Sequence, residues 1–438
     1  MSQAVSPELS VSDPYAPLRV ASFRWFVISV LTMAMSAQIQ GVVVAWQMYA
    51  LTRDPLALGM VGLAEAAPFI GFALYAGHVA DVRDRRRVAL TALAVLTLAA
   101  AALAAASFWL VGDGPEVRAR ASGVPMRACI YTIIVVCGAA RSFLLPSRNA
   151  LGADLVPRPL FPSAVAWRAG VWQVAAVTGP AAGGLLYTWV GAPISYGIAA
   201  ALMAISFGAV SAIRPPARTD PPRTESPLAS IRQGLSFLFG RPVFVGAMTL
   251  DLLAVLFGGA TAILPIFAEE ILHVGPSGLG ALRAAPAVGA VLMSGLIALR
   301  RPPGRVGPTF LAAVALFGLF TIAFGVSRWF WLSLVMLAAS GAADMLSVYF
   351  RSTLLQVMVP QGMLGRVSAV NQIFIGSSNE IGAFESGVAA RLLGTVPSVV
   401  FGGVVTVVVT GLVSWRVPSL ARLDRFETET FDTESAPD

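Results

Sequence analysis

Residues 62–68 read Gly62-Leu-Ala-Glu65-Ala-Ala-Pro68, and 218 positions later the chain reads Gly280-Ala-Leu-Arg283-Ala-Ala-Pro286. The same offset carries Gly77 onto Gly295, Arg83 onto Arg301 and Arg87-Val88 onto Arg305-Val306. Further along, an offset of 203 takes Gly138-Ala-Ala-Arg141 onto Gly341-Ala-Ala-Asp344, Arg148 onto Arg351, and Val156-Pro157 onto Val359-Pro360. The 15-residue difference equals the length of a hydrophilic insert near 112–126. Several short matches at consistent spacings mark an internal duplication. The two copies run in the same direction, as in parallel repeats related by an axis along a membrane normal.

Each copy is made of membrane-length apolar runs. A helix needs about 20 apolar residues to cross a bilayer. Such runs fall at 23–50, 57–80, 87–111, 127–150, 160–187, 192–213, 243–268, 278–299, 306–326, 329–355, 366–392 and 396–416. Of 438 residues, 57% are apolar and 12% are charged, too little polar surface to cover a water-soluble body. Proline inside the runs (Pro68, Pro146, Pro180, Pro265, Pro286) is tolerated in packed membrane helices. The expectation is an all-α membrane protein of twelve transmembrane helices in two pseudo-symmetric six-helix bundles. Residues 1–22 form a cytoplasmic amino-terminal segment, 23–213 the first bundle, 214–241 a cytoplasmic linker, 242–416 the second bundle and 417–438 an acidic cytoplasmic tail.

Every one of the 30 basic residues is arginine. With the amino terminus inside, 21 arginines lie on the cytoplasmic side, 6 outside and 3 within helices, which satisfies the positive-inside rule. Both termini are therefore expected in the cytoplasm, in a multi-pass protein of the bacterial inner membrane with no cleavable signal. Most of the formal +7 charge then sits at the membrane surface, so nucleic acid is not an expected partner. Cys129 and Cys137 share the fourth run and are expected to be reduced packing residues.

Between the second and third runs lies Gly77-His-Val-Ala-Asp81-Val-Arg83-Asp84-Arg85-Arg86-Arg87. This resembles the signature loop of the major facilitator superfamily, with Val82 and Asp84 departing from its usual basic residue and glycine. The Asp-Arg-Arg-Arg variant is similar to the branch containing enterobactin exporters and related secretion and macrolide-efflux proteins. Leu51-Thr-Arg-Asp-Pro-Leu-Ala-Leu-Gly59 and Gly365-Arg366-Val-Ser-Ala-Val370 agree with that branch. The resemblance covers most of residues 18–416. It implies a cytoplasmic latch formed by Gly77, Asp81, Asp84, Arg85, Arg86 and Arg87, closing against helix eleven when the cavity faces outward. The plainer reading of the same arginines is a membrane anchor. Gly179-Pro180-Ala-Ala-Gly183-Gly184 resembles the Gly-Pro motif of superfamily antiporters, which favours export; ordinary small-residue packing is the alternative.

Charges at membrane depth are costly and usually face a partner or a wet cavity. Glu65, Asp251, Asp344, Glu380 and Glu385 are such acids, and Arg141, Arg168 and Arg283 such bases. Arg141 and Asp344 are repeat mates, as are Glu65 and Arg283. In the superfamily, helices one, four, seven and ten line the cavity, which implies that Arg141 faces Asp344 across it. One reading makes Arg141–Asp344 and Glu65–Arg283 interdomain ion pairs that hold one access state. The other makes Asp251, Asp344, Glu65 or Glu380 proton carriers, with Arg141 binding an anionic or hydroxyl-rich substrate. A carboxylate that loses its arginine in a dry site takes up a proton, so the readings are compatible. Gln38, Gln40, Trp46 and Tyr349 are candidate substrate contacts, or packing.

The expected function is secondary active export of an organic molecule, siderophore-like or amphiphilic and drug-like, by proton-coupled antiport. The alternatives are an uncoupled facilitator, a lipid flippase, or a non-transporting receptor or scaffold on the same fold. With two histidines, no phosphate-binding Gly-rich loop and no metal-ligand spacing, the chain is not expected to be an enzyme. No cofactor or metal is expected. The partners expected are the small-molecule substrate, protons and membrane lipids, with the chain acting as a monomer.

Overall fold

The computed structural model describes residues 13–111, 124–214, 227–300 and 305–424. The ends of the amino-terminal segment and acidic tail, the centre of the linker and most of the insert near 112–126 lie outside these residues. Twelve membrane helices follow one another. They are α1 (Ala21–Thr52), α2 (Pro55–Val82), α3 (Arg85–Val111), α4 (Val124–Asp154), α5 (161–190) and α6 (192–212). The second series is α7 (Pro242–Ile271), α8 (Gly275–Leu299), α9 (Val306–Val326), α10 (Phe330–Met358), α11 (Gln361–Leu393) and α12 (Thr395–Arg416). A further helix, Pro227–Phe239, occupies the linker. The face carrying the α2–α3 loop and the linker is termed the linker face below.

The hydrogen-bonded helical stretch Phe161–Ala212 is continuous, but Gly191 (φ 73°, ψ 178°) breaks its direction and separates α5 from α6. Gly394 (φ 94°, ψ 158°) does the same between α11 and α12, 203 residues on. Only glycine adopts these angles without strain, so both halves turn on the same residue. The α11 helix is more polar than the others, with Arg366, Asn371, Asn379, Glu380, Glu385 and Arg391 along its length. Glycines bring it close to its neighbours: Gly59 of α2 and Gly382 of α11 allow backbone approach to α11 and α7 respectively.

Side chains on the outside suit lipid. Trp25 and Trp415 are exposed near the linker face, and Trp109, Trp189, Trp329 and Trp331 near the opposite face, the two levels of an interfacial aromatic belt. The protein is a multi-pass membrane protein.

Within each bundle the helices are joined by small residues and buried hydroxyls, since lipid supplies no hydrophobic drive between helices. The α1 helix is tied to α6 by Ser29–Ser206 at 2.7 Å and by Ser36 Oγ donating to Ala199 O at 2.7 Å. Gln47 links α1 to α3 and α6, donating to Ser107 at 3.1 Å and accepting from Tyr196 at 2.9 Å. The repeat reappears as geometry. A Cβ on Gly138 would lie 2.3 Å from Glu65 O and 2.9 Å from Pro68, where α4 crosses α2. A Cβ on Gly341 would lie 2.0 Å from Pro286 O, where α10 crosses α8. Gly341→Leu is therefore expected to lower the unfolding temperature in detergent, with overpacking of about 1–3 kcal/mol or more. Gly71→Ala, whose Cβ would meet nothing within 4 Å, is the control expected to leave it unchanged.

Candidate functional site

A cavity of about 240 Å³ lies between the bundles, lined by α1, α2, α4, α7, α8 and α11. Its polar groups are Gln40, Glu65, Arg141, Thr261, Arg283 and Asn379; Ala37, Val44, Val61 and Ile134 are among its apolar ones. Glu65 and Arg141 are ion-paired within the first bundle, both only partly exposed. Gln40 is buried and turns its amide toward Cys137 Sγ at 3.8 Å; Cys129 and Cys137 are free thiols. Thr261 is brought to the wall because α7 breaks after Gly258-Gly259 into short irregular turns. The freed Gly259 carbonyl accepts a hydrogen bond from Ser386 of α11 at 3.2 Å. Broken helices at membrane depth are tolerated where the backbone lines a cavity or is met by a neighbour.

Above the cavity, on the face opposite the linker, the bundles are sealed. Arg53 pairs with Glu269 at 3.3 Å, Arg391 with Asp54 at 3.1 Å, and the Tyr49 hydroxyl donates to Glu270. Burial works against the Arg53 charge, but Tyr49 and Glu269 outweigh it and raise its pKa above the ordinary value. Asp54 serves twice: Oδ1 caps α2 at Leu56 N (3.0 Å) while Oδ2 meets Arg391. Just below, glycines let the gating helices touch. A Cβ on Gly59 would sit 3.0 Å from Gly387 Cα, and one on Gly184 would sit 2.9 Å from Gly280 Cα. Sequence reasoning passed over these sealing residues, because short-loop charges look like solvated ends until the partner half is in place.

On the linker face, the contacts of the Gly77–Arg87 loop among the described residues stay within the first bundle. Arg85 pairs with Asp154 at 2.6 Å in its own bundle, and Arg86 donates to the Val210 (3.3 Å) and Ser211 carbonyls ending α6. Asp84 caps α3, accepting from Arg86 N at 2.9 Å and Arg87 N at 3.1 Å, and meets the Arg87 side chain. The arginines thus find nearer partners than the other half offers. Asp81 makes no hydrogen bond or ion pair among the described residues, and a Cβ on Gly77 would meet nothing within 4 Å. The inner part of α2 is correspondingly exposed at Phe72, Tyr75 and Val82. The Gly179-Pro180 stretch packs closely: a Cβ on Gly179 would meet Gln38 Cβ at 2.6 Å, and Pro180 O lies against Gly280 of α8.

Several expected contacts are corrected. Arg141 is not paired with Asp344, nor Glu65 with Arg283; Glu65 and Arg141 are joined instead, because α2 and α4 cross directly beneath them. Asp344 and Tyr349 on α10 are not among the cavity-lining residues, since α2, α8 and α11 close in where α10 was expected. Tyr349 packs on Phe350 at 5.4 Å beside an apolar cluster of α7, α9 and α10. Trp46 is buried in the core, edge-on to Tyr187 at 6.3 Å. Gln38 packs against α5 and does not line the cavity. Asp251 is buried in an ion pair with Arg351, away from the cavity. Glu380 lies on α11 and its side chain is outside the described residues.

The profile of the transmembrane secretion effector family matches residues 12–436. Among similar proteins, an enterobactin exporter EntS from Citrobacter koseri is 26% identical over 405 residues, spanning 92% of this chain and 93% of the relative. One from Shigella boydii is 28% identical over 359 residues, 80% of each chain. Among solved structures, a peptide transporter in complex with alafosfalin superposes with a TM-score of 0.70 at 12% identity, over 92% of this chain and 95% of that one. The nucleoside transporter NupG gives 0.65 at 13% identity, over 90% and 99%. The two-bundle, twelve-helix architecture is that of the major facilitator fold.

Proposed function

The chain belongs to the transmembrane secretion effector family, and on that premise we propose that this membrane transporter is a proton-coupled exporter of an organic, siderophore-like or amphiphilic molecule. The single observation that carries the reading is a charged cavity, with Glu65, Arg141 and Arg283, lying directly beneath a face sealed by interbundle ion pairs. With the termini in the cytoplasm of a bacterial inner-membrane protein, the sealed face is periplasmic and the cavity awaits cytoplasmic cargo. A siderophore-like cargo is favoured because the similar proteins carry the name enterobactin exporter.

Outward opening separates Arg53 from Glu269 and Arg391 from Asp54, and the Gly77–Arg87 loop then closes the cytoplasmic side against α11. Glu65 and Asp344 are the carboxylates we assign to proton exchange: the first sits in the cavity wall, and the second has no partner among the described residues. Asp251, held by Arg351, is assigned to structure. The exporter acts as a monomer. No cofactor takes part, and the chain is not an enzyme.

Two expected results test this reading. Deleting the protein should remove a specific organic solute from the culture medium and raise it inside cells, as read by untargeted metabolite comparison; an unchanged exometabolome contradicts export. Asp81→Asn should reduce export several-fold with unchanged membrane-inserted protein. It removes a carboxylate that, with the latch closed, would face the positive amino terminus of a neighbouring helix, an interaction of about 0.3–1 kcal/mol where exposed. Undiminished export in that variant leaves the loop as an anchor only.

A further inference from the structure

Arg283 and Asp344 hold, in the second bundle, the positions that Glu65 and Arg141 hold in the first, with the charges exchanged. The crossings beneath the two sites are alike, Gly138 of α4 against α2 and Gly341 of α10 against α8. Only the first pair is closed. Arg283 makes no ion pair or hydrogen bond among the described residues, and its Nε is buried without a partner. The guanidinium reaches across the seam between bundles: a Cβ added to Gly41 of α1 would lie 3.4 Å from Arg283 Nη1.

A guanidinium at membrane depth that has neither a counter-ion nor, among the described residues, sulfur and ring contacts of the kind that hold Arg148 is unfavourable unless something else supplies the negative charge. A planar fork of N–H donors is matched by an anion with two oxygens in a plane. We infer that Arg283 is the receptor for a carboxylate or similar two-oxygen anionic group of the transported molecule, which takes the counter-ion position that Asp344 leaves open. Gln40 and Asn379 stand in the same wall to bond polar substituents, and Ala37, Val44 and Val61 offer an apolar floor. A volume of about 240 Å³ takes one substituted ring, so the remainder of a larger cargo extends toward the linker face. When cargo leaves, Asp344 is the group available to close on Arg283, as Glu65 is closed on Arg141. This inference rests on the transporter reading only in taking the ligand to be cargo.

The test uses the full-length protein purified in detergent, with 1-naphthoate and its neutral amide 1-naphthamide as probes in titration calorimetry. Naphthoate is expected to bind the unsubstituted protein and raise its unfolding temperature, with naphthamide doing neither at the same concentration. Arg283→Gln should bind naphthoate about ten- to one-hundred-fold more weakly, the loss of a charge-assisted bidentate contact. Arg283→Lys should recover part of that loss, and Asp344→Asn should bind at least as tightly as the parent. Equal binding of naphthoate by Arg283→Gln, equal binding of both probes, or no naphthoate binding by the parent overturns the inference. The calorimetry and thermal shift of the parent remain decisive if Arg283→Gln fails to fold. Naphthoate binding through Arg283 in a protein whose deletion leaves the exometabolome unchanged would instead remove the export reading and keep the site.

Discussion

Replacing Asp251 with asparagine is expected to destabilise the protein by about 3–5 kcal/mol, read as a large fall in unfolding temperature in detergent. Asp251 on α7 and Arg351 on α10 form an ion pair inside the second bundle, their side chains 10% and 7% exposed. Asparagine keeps the shape and one acceptor but removes the charge, so Arg351 remains buried without compensation. The first bundle shows what the alternative looks like. Arg148, the mate of Arg351, meets Met33, which is the mate of Asp251 at the 218 offset. There the guanidinium rests on Met33 Sδ at 3.6 Å and lies 5.8 Å from the Trp172 ring centre. Soft, polarisable neighbours hold that arginine without a carboxylate. Replacing both partners, Asp251→Leu with Arg351→Met, should therefore recover most of the lost stability, since apolar substitutes for a buried pair are often neutral or better. A single Asp251→Asn variant as stable as the parent would mean that the pair is dispensable.

Asp344→Asn is expected to abolish substrate-driven proton movement in proteoliposomes while cargo binding survives. An amide cannot take up and release a proton, and the change in volume is small. Asp344 lies on α10 at membrane depth with no partner among the described residues, whereas Asp251 is neutralised by Arg351. Its one cation of matching pseudo-symmetry is Arg283, and the pair is open here, so proton loss and closure on Arg283 can be a single event. Glu65→Gln is the comparison. If proton movement persists in Asp344→Asn but stops in Glu65→Gln, the exchange belongs to the cavity pair with Arg141. If both variants move protons normally, neither carboxylate is the carrier.

Twelve helices and two parallel halves were legible because hydropathy and repeat spacing are one-dimensional signals. Membrane helices need long apolar runs, and duplicates keep their glycines where backbones cross, as at Gly138 and Gly341. The charged residues were also legible, and Glu65, Arg141, Arg283 and Gln40 do gather in one cavity. Their partners were not. Pairing depends on which helix crosses within side-chain reach, so Arg141 meets Glu65 in its own bundle instead of Asp344 in the other. Trp46 and Tyr349 failed for a related reason: a helix that lines a cavity also has faces toward its bundle, and spacing alone did not say which. The seal through Arg53, Asp54, Glu269, Glu270 and Arg391 was hidden in short loops. Gly191 and Gly394, spaced by the same 203 residues as the other mates, show as equivalent positive-φ turns only in the backbone.

The central claim is that a proton gradient drives cargo outward through this chain. Inside-out membrane vesicles carrying it should accumulate the organic solute that deletion of the protein removes from the medium when their interior is made acidic, and lose that accumulation on adding a protonophore. Vesicles that take up this solute to the same level with and without the gradient, or that take up none beyond vesicles lacking the protein, contradict the account.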